Sequence, residues 1–559
     1  MTSPYNRNDG LPDQVGYLRR PEQTYSDEMV YYGGAPANDL WAMIAAATSG
    51  DVESIQALAD KNPALATANL NYDQPLHFAV RGSHVEAVRV LLERGANILA
   101  ESRLNGINQT LNMALDRGNQ EIYDLLDEDR RKKFAYHPKA KAVSQALRQR
   151  SVEAVRTMLD AETSLAHASD ETGNQPMHWA SMTGQMAMID LLLQYGADIN
   201  IRRFDGARPI DLTDGDYWGW HRDDEGQEEA PKKTALIAGY LLARGADYDL
   251  GTAARYGDLG RVKQLLQADP SLAKVPPIYA TWGIGAPLGH AASQGREDMV
   301  TLLLEYGADP NMREGHIAPR GSALFNAVGG GHFDLAKMLL EHGADPRAGV
   351  ESSGNVFGGA EGKMKDLLVS YGAGVDPALQ GFPAFHTACE SGDVDAVRGM
   401  LGDHPSLGCD GGFLEEAAVA GQKGVVQVFM DMNPDLWQQV SIHRGDPALL
   451  RWMIEQGMDP NQATWKGETP VHRAARSHEP DSLRILLDAG GRTDAIEGFD
   501  ESTPLGLAAR DGCIETVRIL LDAGADPNLA GADWARPLAW AQRRGHDDLA
   551  ILLKAHGAA

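Results

Sequence analysis

The chain has 559 residues, of which 43% are hydrophobic and 23% are charged, and its formal net charge is −27. This charge disfavours non-specific binding to nucleic acid or to a membrane surface, because both need a basic footprint. No window approaches the length of a transmembrane helix, and the start MTSPYNRNDGLPDQ lacks the apolar stretch of a secretory signal. The three cysteines are too scattered for a disulfide framework or a zinc site. We therefore expect a cytoplasmic protein without a metal or other cofactor.

The first part of the chain predicts little regular structure. Residues 1–37 contain Pro, Gly, Asn and Asp without clear periodicity, which favours an irregular N-terminal lead-in or cap. Residues 38–559 predict one array of short helix pairs. The first pair ends in Asn62-Pro63-Ala64-Leu65, and a leucine at this place can fold back over the helices before it. We expect the units with this ending to keep their apolar core.

The middle third of the chain departs from the regular array. An insertion at 213–233 separates two helices, and long connections follow at 275–285, 312–321 and 350–362. Loops of this length inside a regular array are usually functional or disordered, and these contain Trp, Tyr, Phe, His and Arg. We therefore predict a functional region in the central repeats, at about 205–390.

The segment 502–528 contains the most complete copy of the repeated unit. Thr503 is a good N-cap, and Pro504 suits the first helical position, where a missing N–H costs nothing. Gly512 is placed to end this helix in a left-handed conformation, and Gly524 is placed to end the next one. Such a helix pair cannot bury both of its faces alone, so we expect a copy on each side.

This unit resembles the ankyrin repeat in its T-P-L-x-x-A-A, G-x-x-E-x-V-x-x-L-L and G-A-D-x-N motifs. Four other units carry the pattern strongly, and they begin at Gln74, Gln175, Ala286 and Thr469. The resemblance implies an all-α solenoid of about 15 or 16 helix-turn-helix units with finger loops between them. It also implies that a histidine of the T-P-L-H motif braces each finger by hydrogen bonding. These histidines are His77, His178, His386 and His472.

Two consecutive finger loops of the predicted solenoid place aromatic and polar residues along one edge of its concave face. These residues are Tyr279, Trp282, Glu314, His316 and Arg320. Together they suit a small polar ligand such as a carbohydrate or an organic acid, although the aromatics could instead only seal enlarged fingers. Of four further residues, two in the next long connection could extend this patch. The other two share a register on the first helices, where they could face the groove or a neighbouring helix. The four residues are Asn355, Phe357, His290 and Asn326.

The insertion at 213–233 adds a second set of candidate binding residues. Asp216, Trp218, Trp220 and His221 predict an aromatic flap with an acidic edge, and the alternative is a solvated loop. Its acidic residues approach the spacing of an EF-hand calcium loop. However, Trp218 takes the place of a required oxygen ligand, so we expect no metal.

Two classes of function remain open on the sequence. No G-x-S-x-G, H-E-x-x-H or phosphate-loop motif is present. The resemblance favours a scaffold that binds a protein partner through its concave face and finger loops. The alternative is a lyase, hydrolase or isomerase that acts on a small polar ligand in a pocket of the central loops. In that case His290, Glu314 and His316 are the candidates for proton transfer.

Overall fold

A computed structural model describes most of the chain. The described residues are 10–16, 18–21, 24–25, 35–70, 73–99, 109–213, 234–275, 286–312, 322–346, 348, 356, 360–373, 385–403, 407, 411–432, 436 and 447–559. They form two compact units. The N-terminal unit contains residues 28–115 and 119–373, and the C-terminal unit contains residues 1–27, 116–118 and 374–559.

Short helix pairs make up the N-terminal unit, although Asp116, the last residue of one of these helices, belongs to the other unit. The pairs are Ala37–Ser49 with Val52–Lys61, Pro75–Arg81 with Val85–Glu93, Gln109–Asp116 with Gln120–Phe134, Ala140–Arg148 with Val152–Ala161, Pro176–Met182 with Met186–Gln194, Leu250–Arg255 with Leu259–Ala268, Pro287–Ser293 with Glu297–Glu305, and Ser322–Gly329 with Phe333–Glu341. Thr234–Leu242 and Gly362–Ser370 are further helices, and short 3₁₀ turns lie at Pro63–Ala66, Thr163–His167, Pro209–Leu212 and Pro270–Lys274.

The C-terminal unit repeats the same design. Its helices are 385–391 with Val394–Asp403, Gly411–Val419 with Lys423–Met432, Pro447–Glu455, Pro470–Arg476 with Pro480–Asp488, Pro504–Arg510 with Ile514–Asp522, and Pro537–Arg543 with Asp547–Ala555, and a 3₁₀ turn lies at Asp533–Ala535. One buried apolar cluster runs through this unit from Phe385 to Leu553. The predicted all-α solenoid is therefore confirmed.

Local sequence explains where the helices begin and end. The side chain of Thr503 accepts a hydrogen bond from the Gly506 backbone N–H at 3.2 Å, which caps the helix that Pro504 opens. Gly512 has φ +80° and Gly524 has φ +85°, the left-handed conformation that glycine adopts without a Cβ clash. The boundaries predicted for this unit are confirmed.

The asparagine that ends the G-A-D-x-N motif ties several repeats to the repeat that follows. The carboxylate of Asp526 accepts a hydrogen bond from the Asn528 backbone N–H at 2.8 Å, which tightens the turn. The Asn528 side chain then donates to Gly557 O at 2.9 Å and accepts from Ala559 N at 2.8 Å. The same two bonds to the following repeat are made by Asn200, Asn311 and Asn461.

The described part of the N-terminal lead-in contains a short hairpin, Gln14–Val15 paired with Leu18–Arg19. It belongs to the C-terminal unit, where the Arg19 backbone N–H donates to Trp465 O at 2.9 Å. Leu18 is fully buried and Tyr25 is nearly so. The lead-in therefore packs beside a finger loop from the other end of the sequence.

The second type of unit ending keeps its core as predicted. Leucine side chains that follow the turn are buried at Leu65, Leu165, Leu407 and Leu436, and the equivalent Leu272 is half-buried. At the first of these turns, the Asn62 side chain accepts a hydrogen bond from the Ala64 backbone N–H at 3.1 Å. The altered ending therefore changes the connection between repeats and leaves the apolar packing intact.

Candidate functional site

Among the site residues predicted from sequence, His290 and Asn326 lie in the described part of the chain. The others lie outside it, namely Asp216, Trp218, Trp220, His221, Tyr279, Trp282, Glu314, His316, Arg320, Asn355 and Phe357. Whether these loop residues converge on one pocket stays a prediction.

His290 and Asn326 occupy equivalent places in successive first helices. Each lies five residues before a glycine with positive φ, Gly295 at +66° and Gly331 at +71°. Both residues are half-buried. The predicted shared register is therefore present, and it puts two neutral polar side chains next to each other along the array.

The environment of His290 keeps its imidazole uncharged. Burial, and after it the charge of Arg255, lowers the pKa of His290 to about 3, against the weaker opposing effect of Asp249. At neutral pH the ring is therefore uncharged, and the one N–H that it keeps makes it a poor general acid. Its low pKa also makes it a weak proton acceptor.

Trp179 shares the register of His290 in another repeat, but it faces a finger loop. Its indole N–H donates to Asp170 at 2.7 Å, and Asp170 also accepts from the backbone N–H of Thr172 at 2.9 Å and of Asn174 at 3.2 Å. Burial raises the pKa of the Asp170 carboxyl above its usual value. This position therefore braces the finger in that repeat.

Two buried histidines of the T-P-L-H motif have the structural role that the family resemblance implies. His472 Nδ1 accepts from the Thr469 backbone N–H at 3.2 Å, while Nε2 lies 3.3 Å from Ser502 O in the next finger. His178 makes the equivalent contacts with Gln175 N at 3.1 Å and Ile201 O at 3.2 Å. Burial lowers the pKa of both rings to about 4, so each holds one neutral tautomer.

A set of side chains that sequence reasoning missed lies on the first helices of the C-terminal unit. Arginine occurs two residues before the positive-φ turn in three consecutive repeats, whose turn residues are His478, Gly512 and Gly545. We call these residues the arginine row, and they are Arg476, Arg510 and Arg543. The motif Arg-x-Gly at the end of a first helix, as in Arg510-Asp511-Gly512, is the sequence feature that could have found Arg510 and Arg543, but not Arg476, which His478 follows in place of glycine.

At the first end of the row, two arginines share one acid. Arg476 Nη1 lies 3.3 Å from a Glu468 carboxylate oxygen, and Arg473 Nε lies 3.6 Å from the other oxygen. The Arg476 side chain is 49% exposed. This end therefore carries an excess positive charge that solvent can reach.

The other end of the row has the same two-to-one arrangement. Asp116, which belongs to this unit, lies 3.3 Å from Arg543 Nε and 2.8 Å from Arg544 Nη2. Burial and the charge of Arg544 outweigh Asp116 and lower the pKa of the Arg543 guanidinium. Positive charge is therefore crowded at this end.

The centre of the row is close to neutral. Arg510 contacts two carboxylates, Asp511 at 2.8 Å and Asp500 at a shorter distance, and Arg117 supplies a second positive charge that acts on Asp500. The nearby Glu497 is buried and accepts backbone N–H bonds from Phe499 at 2.7 Å and Asp500 at 2.8 Å. Burial and the charge of Asp500 raise the pKa of Glu497 above its usual value, against the backbone N–H bonds that lower it.

A tryptophan pair lies beneath the end of the arginine row. Trp540 is buried and Trp534 is half-buried, and their rings meet edge to face with centroids 5.7 Å apart. The guanidinium of Arg543 lies 4.4 Å from the Trp540 ring, and that of Arg544 lies 5.3 Å from it. The aromatic rings fix the arginine planes through cation–π contact.

The described residues show no group of three His, Cys, Asp or Glu side chains placed to hold a metal ion. Within the same part of the chain, no helix is both long enough and apolar enough to cross a membrane.

The repeats, caps and finger bonds define the chain as an ankyrin-repeat solenoid. The family description "Ankyrin repeats (3 copies)" matches residues 28–102, 111–203, 250–349 and 436–531, which make up more than half of the chain. The chain therefore belongs to the ankyrin repeat family.

Curated relatives match parts of this array. "Probable E3 ubiquitin-protein ligase XBOS33" of Oryza sativa subsp. japonica is 29% identical over 44% of this chain and 39% of its own length. "E3 ubiquitin-protein ligase XBAT32" of Arabidopsis thaliana is 45% identical over 11% of this chain and 12% of its own length. "Ankyrin repeat protein nuc-2" of Neurospora crassa is 24% identical over 54% of this chain and 28% of its own length. The chain thus spans less than two fifths of each of these relatives.

Proposed function

We propose that the chain is a scaffold that binds a protein partner through the first helices and finger loops of its repeats, the surface predicted to be concave. The observation that carries this proposal is the arginine row with its tryptophan pair. Arginine and tryptophan are enriched among the residues that dominate the binding energy of protein interfaces.

Comparison with other repeats indicates that the arginine row is not needed for folding. Some other repeats also have arginine at the place of Arg510, as at Arg255, but Ser293 and Gly329 take it in two central repeats whose first helices form. A position that varies while the fold is kept is free to serve a partner.

The relatives support the binding role of the array and nothing further. The printed names of the rice and Arabidopsis proteins describe ubiquitin ligases, but the matched segments cover 39% and 12% of those proteins. We therefore carry over partner binding by the repeats and do not propose ligase activity for this chain.

The central loops are part of the same proposal as a second contact region. Tyr279, Trp282 and Arg320 would meet the partner beside His290 and Asn326 if the predicted fingers adjoin these helices. The expected cytoplasmic location also stays a prediction. It agrees with the buried, unpaired thiols of Cys389 and Cys513.

Affinity capture by the full chain tests the proposal. We expect an extract of the source cells to yield partners whose recovery falls at least tenfold in the double variant Arg476→Gln, Arg543→Gln. The matched control is Arg484→Gln on a second helix, because its side chain is also 49% exposed and ion-paired. If both variants capture the same partners equally well while Trp282→Ala loses them, the interface lies in the central loops and not on the arginine row.

A further inference from the structure

We propose that the arginine row binds an extended acidic segment whose carboxylates fall in two groups, about five or six residues apart. This inference rests on the proposed function, because it names the chemical class of the partner segment. It is argued from the distribution of charge along the row and from the spacing of the repeats.

The charge along the row is uneven in a way that suits two separated acidic groups. Two arginines share Glu468 at one end, and two share Asp116 at the other. Between them, Arg510 already contacts both Asp500 and Asp511. A ligand therefore meets excess positive charge at both ends and little in the middle.

The internal contacts show that carboxylates fit these arginines. Glu468 spans Arg473 and Arg476 with one oxygen on each, and Asp116 does the same with Arg543 and Arg544. A guanidinium has five N–H donors, so a second carboxylate can bind a guanidinium that already has one partner. Burial, and after it the charge of Arg544, lowers the pKa of the Arg543 guanidinium, and an added anion would offset the second of these effects.

Repeat geometry sets the distance between the two acidic groups. Packed helices lie about 8–10 Å apart, so the two steps from the helix of Arg476 to that of Arg543 cover roughly 16–20 Å. An extended chain advances about 3.3 Å per residue. Roughly five or six residues therefore separate the two groups.

A protein segment suits this surface better than a nucleic acid does. A nucleic acid brings a regular series of phosphates, including charges over the neutral centre at Arg510. The chain as a whole carries a formal charge of −27, which opposes a polyanion at long range. A segment with few, spaced carboxylates makes the close contacts with less of that repulsion.

Fluorescence anisotropy with the full chain tests the inference. The probe is a fluorescein-labelled peptide of Gly and Ser with two Glu-Glu pairs separated by five residues. One control peptide carries Gln in place of Glu, and another places the four glutamates together. We expect the spaced peptide to bind at least tenfold more tightly than either control, and its binding to weaken as salt is raised.

Variants locate the peptide on the protein. Arg476→Gln and Arg543→Gln should each weaken binding of the spaced peptide about tenfold, and the matched Arg484→Gln should leave it unchanged. Thermal unfolding of each variant shows that the fold is kept, so that a loss of binding is a loss of contact.

Three results would overturn the inference. They are equal binding of the spaced and clustered peptides, equal loss of binding in Arg484→Gln, and tighter binding of a single-stranded oligonucleotide with the same number of charges. The proposed function can be contradicted independently of this inference. If partner capture depends on the arginine row while the acidic peptide does not bind, the scaffold function stands and the acidic segment is wrong.

Discussion

The first helices of the central repeats, at 250–329, and those of the last repeats, at 470–543, occupy the same place in the ankyrin unit but present different chemistry. The last repeats all carry arginine two residues before the turn, whereas the central ones carry Arg255, Ser293 and Gly329 at this place. Five residues before the turn, the central helices carry His290 and Asn326, which are polar and uncharged at neutral pH.

This difference shows that certain positions of the repeat can vary while the fold is kept. Both regions keep the buried alanines, the left-handed turn and the asparagine bridge, because these groups hold one repeat against the next. Side chains on the exposed face of the first helices do not hold one repeat against the next. Function in this molecule is therefore to be sought at these variable positions.

The largest expected effect tests whether the two regions really share one kind of core. Leu520 and Leu303 are fully buried at the same place, four residues before a glycine turn. Leu→Ala at either site should lower the free energy of unfolding by about 2–5 kcal/mol, measured by urea denaturation. Ile551→Ala is the control, because that side chain is 67% exposed and should change stability by less than about 0.5 kcal/mol. A loss below about 1 kcal/mol at one leucine would show that the two cores differ.

Acid should destabilise both regions through their neutral histidines. The folded pKa of His472 is about 4, below the ordinary value of 6.5, so the unfolded chain binds more protons between these pH values. Stability is therefore lost as pH falls from about 6.5 towards 4, by up to roughly 3 kcal/mol for His472.

Urea unfolding at a series of pH values checks this expectation. His472→Gln should flatten the loss of stability between pH 6.5 and 4, and His290→Gln should flatten a loss that extends further, towards pH 3. His556→Gln, at an exposed site, is the control. An unchanged slope in His472→Gln would contradict its burial as a neutral ring.

Helix caps should contribute less to the free energy of unfolding than the buried leucines and histidines do. We expect a contribution in both regions. Thr503 caps its helix through Gly506 N at 3.2 Å, and Asp249 caps a central helix through Thr252 N at 2.9 Å. Thr503→Ala should cost about 1 kcal/mol in thermal or urea unfolding, while Thr503→Ser should cost little. Asp249→Ala should cost more, since it also removes the carboxylate that lies 2.8 Å from buried Arg208. An equal loss of stability in Thr503→Ala and Asp249→Ala would mean that the ion pair between Asp249 and Arg208 adds nothing to stability.

The smallest expected change in stability is that of Arg476→Gln. It tests whether the arginine row serves binding or folding. Arg476 and Glu468 form a partly exposed ion pair, and such pairs contribute about 0–1 kcal/mol. Arg476→Gln should therefore change the free energy of unfolding by less than about 1 kcal/mol, although it weakens binding of the acidic peptide. A loss above about 2 kcal/mol would show that the row is structural.

Much of the fold could be predicted because its rules act over a few residues. The cap at Thr503, the glycine turns and the spacing of buried leucines each depend on neighbours within one helix or turn. The family resemblance then placed His178 and His472 in the fingers, which their hydrogen bonds confirm. The predicted central site had less support, since most of its residues lie in long loops outside the described part of the chain.

The amino-acid sequence by itself determined the helix pairs, their caps and their repetition, because these follow from local hydrogen bonding and apolar periodicity. Only the tertiary structure decided that Arg473 and Arg476 share Glu468, that Glu497 is buried beside Asp500, and that Arg19 lies against Trp465. The physical reason is that burial and charge depend on which groups meet in space. The contact of Arg19 with Trp465 joins groups from opposite ends of the sequence, and the burial of Glu497 follows from how neighbouring repeats pack around it.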